Sequence, residues 1–314
     1  MSTALSQSNS ELNLALILGG ARVPVDHPED VAAGYLALDG HPRAVAHIAK
    51  MSGGSQSHLM RCSDGHFYVV KFPHNPQGNR ILVNELICTN LARALGLPVP
   101  PGGIVEIDPS IIQSNRITTE WPFGSRPSSA GLGFASRHPG NRTLIFNRLS
   151  EAGMNDVLNR HVLAGIFLFD LWTSNLDPRE ILFFRHTGER KMFAQMIDNG
   201  HCFRGSTWSL HDIYRVPRHP NPHCFSWITG TRSFEPWLSR IEELAGDVVR
   251  DAYLPVPPEW YGLDLPLLKK LLRQLDIRRD NLRGVLQGFH QERPEAFPLW
   301  GQAAVRAGVS ELAR

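Results

Sequence analysis

A glycine-rich turn at residues 53–57, Lys71, Asp177 and Asp198 are groups that together could handle phosphate, a proton and a metal ion. That is the chemistry of phosphoryl transfer, provided that they stand in a set arrangement. Backbone N–H groups must approach a polyphosphate, and a lysine must reach the same oxygens. One carboxylate must take the proton of an attacking hydroxyl, and another must hold a metal ion. The chain carries such a series in order: the glycine-rich turn Gly53-Gly54-Ser55-Gln56-Ser57, then Lys71 in an apolar run, Glu85 in a helical stretch, and Asp177 and Asp198 near turn signals 21 residues apart. Each is commonplace alone, because glycine pairs mark ordinary hairpin loops and aspartates are frequent turn residues. Their succession over more than 140 residues is the informative feature.

The local pattern says how these groups are held. Lys71 alternates with Phe67 and Val69 on one strand face, so it points where apolar groups point. Glu85 shares a helical sector with Ile81, Cys88 and Ala92. Burying either charge alone costs on the order of several kcal/mol, so the two are best explained by each other. The spacing therefore predicts a Lys71–Glu85 ion pair facing the space between two lobes. Asp177 and Asp198 are expected to converge there, opposite the glycine loop.

The elements that must position these residues follow from periodicity and turn chemistry. Three sequential strands are predicted from AVAHIAKM, HLMRC and HFYVVKF, joined by the glycine-rich loop and by Ser63-Asp64-Gly65. Asp-Gly suits a type I′ turn, which needs positive φ at both central positions. Asn79 is placed to cap a helix through RILVNELICTNLARAL, and Gly96 with Pro98 stops it. VPPGGIVEI reads as a further strand. Residues 121–142 have turn chemistry and no clear period, which marks a linker or long loop at a lobe boundary. A buried helix is expected over Met154 to Leu171, capped by Asn155 or Asp156, followed by a two-stranded ribbon from ILFFR and KMFAQMID. Helical spacing recurs from Trp237 to Val249 and from Leu267 to Leu275. The expected class is α+β: an arm over 1–43, a small β-rich lobe over 44–125, a larger mostly helical lobe over 126–300 and a tail over 301–314.

Composition narrows the function classes. With 314 residues, 42% hydrophobic and 20% charged, the chain is globular, and about 150 residues per domain gives two domains. A formal charge of +2 supplies no field for gripping nucleic acid or an anionic membrane, so neither is an expected partner. No apolar run approaches the roughly 20 residues of a membrane span. The N-terminus lacks the basic start and cleavage site of a secretory signal, so a cytoplasmic location is expected. Cys62, Cys88, Cys202 and Cys224 match no zinc or redox spacing and read as buried thiols. His201, His219 and His223 read as solvated or locally bonded, since Pro220 and Pro222 forbid a helix that would align the last two. Arg278, Arg279 and Arg283, with acidic neighbours, read as a solvated helix face.

With these residues in view, the chain resembles the HipA-like kinases, a bacterial branch of the protein-kinase-like fold. The segments that carry the resemblance are MSGGSQSHLMRC, HFYVVKF, LVNELICTNLARALGLPVP, GLGFASRHPG, FDLWTSNLDPRE, IDNGHCF, FEPWLSRIEEL and LLKKLLRQLDIRRDNL, spread over roughly residues 44–290. It implies a two-lobed kinase fold, ATP with Mg2+ as cofactors, and transfer of the γ-phosphoryl group to a hydroxyl, foremost of a protein serine or threonine. By matching position, Gly53, Gly54, Ser55, Gln56 and Ser57 would cradle phosphates, Lys71 would contact them, and Glu85 would orient Lys71. Asp177 would be the catalytic base and Asp198 the magnesium ligand.

One departure stands out. Such kinases place a metal-binding asparagine five residues after the base, and here that position is Leu182. Glu180 is a candidate for the missing oxygen, as is Asn175 from the other side of the loop. A second register, with Asp170 as base and Asn175 as metal ligand, has the same spacing but sets Asp170 at the end of an apolar helix. Two other readings stay open: a nucleotide-binding pseudokinase acting as a regulatory module, and a toxin-like partner of a DNA-binding antitoxin, as the family name implies. The acceptor, protein or small molecule, is not encoded in these motifs, because acceptor choice lies in surface loops.

Overall fold

The computed structural model describes residues 41–140, 143–209 and 222–302. Most of the expected arm, the end of the expected tail and His219 lie outside them.

Three strands form as the apolar runs predict: β1 (Ala44–Lys50), β2 (His58–Cys62) and β3 (Phe67–Lys71), paired antiparallel. The Asp-Gly turn forms, but not as type I′: Gly65 alone takes positive φ, and the loop closes over Ser63-Asp64-Gly65, with the Gly65 N–H donating to the Cys62 carbonyl (2.9 Å). Gly65 takes φ +84°, while the Asp64 carboxylate accepts from the His66 N–H at 3.1 Å and the Tyr68 hydroxyl at 2.7 Å. Helix α1 (Arg80–Ala94) follows, buried on nearly every face. Asn79 precedes it but does not cap it, because its Oδ1 accepts the His74 N–H instead (2.6 Å). Next come β4 (Gly102–Ile107), α2 (Pro109–Asn115), capped by Asp108, and a hairpin of β5 (Thr118–Trp121) and β6 (Gly124–Pro127).

The segment expected to be a linker is largely strand. β7 (Gly131–Arg137) lies between β3 and β4, giving the five-stranded order β1-β2-β3-β7-β4, so the first lobe extends past the expected boundary at 125 to residue 137. Glycine hides the period here. A Cβ on Gly133 would stand 2.7 Å from the Lys71 carbonyl oxygen and 2.8 Å from Ile107 Cδ1, so only a bare backbone fits between the flanking strands.

The second lobe differs from expectation at its entry. The single helix expected over 154–171 is two: α3 (Glu151–Met154), capped by Ser150, and α4 (Val162–Thr173), with every residue buried. Asn155 ends α3 rather than starting a helix. The intervening Asn159 spends its amide on both backbone groups of Ala194 (2.8 and 2.9 Å), which holds the chain out of helix. The ribbon is three-stranded, with β8 (Thr143–Phe146), β9 (Glu180–His186) and β10 (Phe193–Ile197) in the order β10-β9-β8. The pattern from Trp237 to Val249 is likewise split, into α5 (Trp237–Glu242) and α6 (Gly246–Asp251). A short α7 (Pro258–Tyr261) leads to α8 (Leu265–Asp280) and α9 (Leu282–Glu292).

One apolar cluster joins the lobes, since Leu86 and Leu91 of α1 pack in the same core as Leu168 and Trp172 of α4. Arg278 is not on a solvated face. It is 7% exposed, and its guanidinium donates to the Leu171 carbonyl at the end of α4 (3.0 Å). Arg279 and Arg283 pair with Asp276, Asp280, Glu235 and Glu242. All four cysteines are buried and free. Among the described residues no helix is long and apolar enough to cross a membrane.

Candidate active site

Lys71 closes β3, and α1 brings Glu85 beneath it. The lysine Nζ contacts Glu85 Oε1 and, at 2.8 Å, Oδ1 of Asp198 from the loop after β10. Lys71 and Glu85 are sealed, whereas the Asp198 side chain is 39% exposed. Burial pushes the Lys71 ammonium down, but Glu85 and Asp198 more than offset this, so its pKa is raised and it stays charged. Burial likewise pushes Asp198 up, and the neighbouring Lys71 overrides it to hold the carboxyl well below the usual range. Glu85 also accepts the Asn199 N–H on Oε2 (3.0 Å), so one carboxylate fixes both the lysine and the Asp198 loop. That loop lies close on α1: a Cβ on Gly200 would meet Ile81 Cγ2 at 2.6 Å.

Sequence reasoning missed Asn84. Its buried amide nitrogen reaches the carbonyls of Gly200 (2.7 Å), Cys202 (3.0 Å) and Gly205 (3.0 Å), and its oxygen accepts Trp208 Nε1–H (2.8 Å). The available signal was a second polar residue beside Glu85 within the run 81–88, which is otherwise apolar.

Arg179, also missed, builds the opposite wall. Its buried guanidinium pairs with Asp170 and donates to the carbonyls of Ile197 (2.8 Å) and Asp198 (2.9 Å) and to Asn199 Oδ1 (2.9 Å). It thereby ties the end of α4 to the Asp198 loop. Asp170 is enclosed by this arrangement, which leaves no path for it to act as a base in the second register. Asn175 is a correction to the expected site. It is 1% exposed, its Nδ2 donates to Asp170 Oδ1 (3.2 Å), and its Oδ1 accepts the Asp177 N–H (3.3 Å). Both ends of the amide are engaged and the residue is sealed from solvent, so Asn175 braces the loop.

Asp177 is presented outward, with its side chain 58% exposed and Oδ2 3.3 Å from His201 Nε2. Glu180 opens β9 opposite Ile197 of β10. Burial raises the pKa of its carboxyl, and the negative charge of nearby Asp198 adds to the rise, with a smaller effect from Asp177. Both aspartates therefore act on the same carboxylate. Leu182, at the position expected for asparagine, lies two residues along β9 and so on the Glu180 face of the strand.

The glycine loop is only partly as expected. Gly53 takes φ +126° and Gln56 φ +50°, and Ser55 and Ser57 are buried. Gln56 does not face a phosphate site: its N–H donates to the Gly53 carbonyl (3.1 Å), and its side chain pairs with both backbone groups of Glu120 (2.7 and 2.8 Å). It anchors the loop to the β5–β6 hairpin. Among the described residues no three His, Cys, Asp or Glu side chains are gathered into a metal-holding group.

A family model described as HipA-like kinase matches residues 45–287. No curated protein matches the chain in sequence. Among solved structures, the crystal structure of the Golgi casein kinase superposes with a TM-score of 0.51 at 12% identity, covering 85% of this chain and 78% of that one. The Golgi casein kinase with Mn/ADP bound gives 0.46 at 13%, covering 81% and 73%. The Helicobacter pylori proinflammatory kinase CtkA gives 0.49 at 11%, covering 76% and 94%. At these identities the first likeness speaks for a shared two-lobed fold.

Proposed function

The chain belongs to the HipA-like kinase family, and from that premise we propose that it transfers the γ-phosphoryl group of ATP, with Mg2+, to a hydroxyl of a protein serine or threonine. The observation that carries this reading is the Lys71 ammonium held between Glu85 of α1 and Asp198. A charge so fixed needs no reorganisation when phosphate oxygens approach, which is the form of electrostatic stabilisation that phosphoryl transfer relies on.

The roles divide by exposure. Asp177 takes the proton of the acceptor hydroxyl, because its carboxylate is the outward-facing one of the loop. The Asp170–Arg179 pair and Asn175 hold that loop in register with Asp198. The backbone of Gly53 and Gly54 approaches the phosphates, with Ser55 and Ser57 supporting the turn from inside. Glu180 lies opposite Ile197, the residue before Asp198, so two carboxylates stand at neighbouring strand ends and supply the hard oxygen donors that a divalent cation takes. Asp198 and Glu180 would hold Mg2+, which supplies neutralisation of phosphate charge when bound. The near-neutral chain is assigned to the cytoplasm, with no nucleic-acid or membrane partner and a protein as its acceptor.

Leu182 favours a second reading, a pseudokinase that binds nucleotide and regulates a partner, because a hydrocarbon replaces the expected metal-binding amide. Thermal melting with ATP and Mg2+, run beside phosphoryl-transfer assays on protein and small-molecule acceptors, separates the two. Stabilisation with turnover supports the kinase, and stabilisation without turnover supports the pseudokinase. No stabilisation by any nucleotide overturns both.

A further inference from the structure

Between β3 and α1 the chain runs through a built strap. Asn75, 3% exposed, donates to the Phe72 carbonyl (3.0 Å) and accepts the Gln77 N–H (2.9 Å), and Gly78 at φ +86° turns the chain into α1. The strap thus leaves directly from Lys71 and presents Gln77 in a fixed place. Gln77 lies against the glycine loop, since a Cβ on Gly54 would fall 2.6 Å from its Nε2. The same amide group stands 3.0 Å from His201 Nε2.

His201 is stitched to the Asp177 loop through its own backbone. Its carbonyl accepts the Leu176 N–H (3.0 Å), and three residues on the Arg204 N–H donates to Ser174 (3.2 Å). The imidazole and the Asp177 carboxylate are therefore neighbours by construction, 3.3 Å apart. We infer that Gln77 and His201 form a latch joining the glycine loop to the proposed base: Gln77 seats on Gly54 and holds His201, and His201 orients the Asp177 carboxylate. This deepens the kinase reading and rests on it for the role of Asp177.

One ring nitrogen faces both partners, which makes the latch two-state. A neutral Nε2 that accepts from the Gln77 amide nitrogen has no proton for Asp177. With the Gln77 amide turned so that its oxygen faces the ring, an Nε2–H is shared between Gln77 and Asp177. The orientation of the Gln77 amide, seated against Gly54, thereby selects whether Asp177 is held. His201 is on this view a positioning residue, not a catalytic one.

The test is a double-mutant cycle with Gln77→Ala, His201→Ala and the combined variant, plus His201→Gln, which restores a side-chain amide nitrogen. In unliganded melting, the loss in the combined variant is expected to fall about 2 °C short of the sum of the single losses. In turnover, His201→Ala is expected to lower kcat about tenfold with KM for ATP within about twofold, the combined variant to be no slower, and His201→Gln to recover most of the loss. Additive melting losses overturn the latch whether or not phosphate is transferred. Overlapping melting losses with unchanged kcat overturn the positioning role. An unmodified protein that binds nucleotide but phosphorylates no acceptor overturns the kinase reading and the positioning role together, and the contact itself then stands or falls on melting.

Discussion

Two ion pairs are buried at the centre of this molecule, and they differ in what their carboxylates face. Asp170 and Arg179 are sealed on all sides, their side chains 4% and 2% exposed, and the guanidinium is spent on protein acceptors, the oxygens of Asp170, Ile197, Asp198 and Asn199 and the sulfur of Cys202. Lys71 and Glu85 are nearly as deep, yet the lysine has a second partner, Asp198, that opens to solvent. The sealed pair holds two loops at a fixed distance. The open one keeps a charge available at its outer edge, where a ligand can share it. Burial alone therefore does not mark a functional charge; a buried charge with one exposed partner does.

The largest effects expected are on the open side. Asp177→Asn keeps the shape of the loop but removes the base, so turnover should fall about 10²–10⁴-fold while stabilisation by ATP and Mg2+ is retained. Asp198→Ala should lose turnover and the magnesium-dependent part of that stabilisation together. Measured side by side, equal losses of nucleotide stabilisation in both variants would break the distinction between a base and a phosphate-end ligand.

On the sealed side the expected effect is on folding. Arg179→Met leaves Asp170 buried without a counter-charge, which costs about 3–5 kcal/mol. Adding Asp170→Leu removes that stranded charge and should recover much of the loss, because an apolar pair of similar volume often equals a buried ion pair. Urea unfolding of the single and double variants reads this directly. If the double variant is no more stable than Arg179→Met alone, the guanidinium bonds to Ile197 and Asp198 carry the stability, and the pair itself does not.

The contrast also explains what the sequence could reveal. The Lys71–Glu85 pair is legible because each charge interrupts a clean local period, one of strand and one of helix. The hairpin at Asp64-Gly65 is legible because turn chemistry is local. Asp170 and Arg179 are nine residues apart across a loop with no period, so their pairing leaves no local trace. The placement of β7 between β3 and β4 is hidden for the same reason: its pairing partners lie some 30 and 60 residues away, and the glycine that permits the packing reads as a turn residue. Within the site, residue types told which groups were reactive, but only packing told which were spent. Asn175 and Gln56 looked available and are used up by their neighbours, while Asn84 and His201 looked ordinary and join the loops.

Acid titration separates the open cluster from its surroundings, at the smallest scale of these effects. His58 lies at the start of β2 beside the glycine loop, where burial, reinforced by His47 and Lys50, lowers its pKa from 6.5 to about 4. His138 is lowered to about 4 by burial as well. For each, the unfolded chain takes up a proton near pH 6.5 while the folded protein does not, so stability is full above pH 6.5 and declines as pH falls toward 4. Linkage makes the loss between pH 7 and pH 5 about 2 kcal/mol per histidine. Asp198 has the same sign in a lower window: its folded pKa is depressed by Lys71, so its contribution is present above the ordinary aspartate value near 4 and is lost only below it. His58→Gln should therefore flatten the stability curve between pH 7 and pH 5, leaving the parts that His138 and the burial-lowered His47 contribute, with the steeper fall below pH 4 unchanged. Lys71→Met should soften the lower slope, and by leaving Glu85 buried without its cation it should push that carboxyl further up and add a contribution of opposite sign to the upper slope. A His58→Gln protein with an unaltered slope above pH 5 would show that the histidine is charged in the fold, and would place the acid response of this lobe in the ion cluster after all.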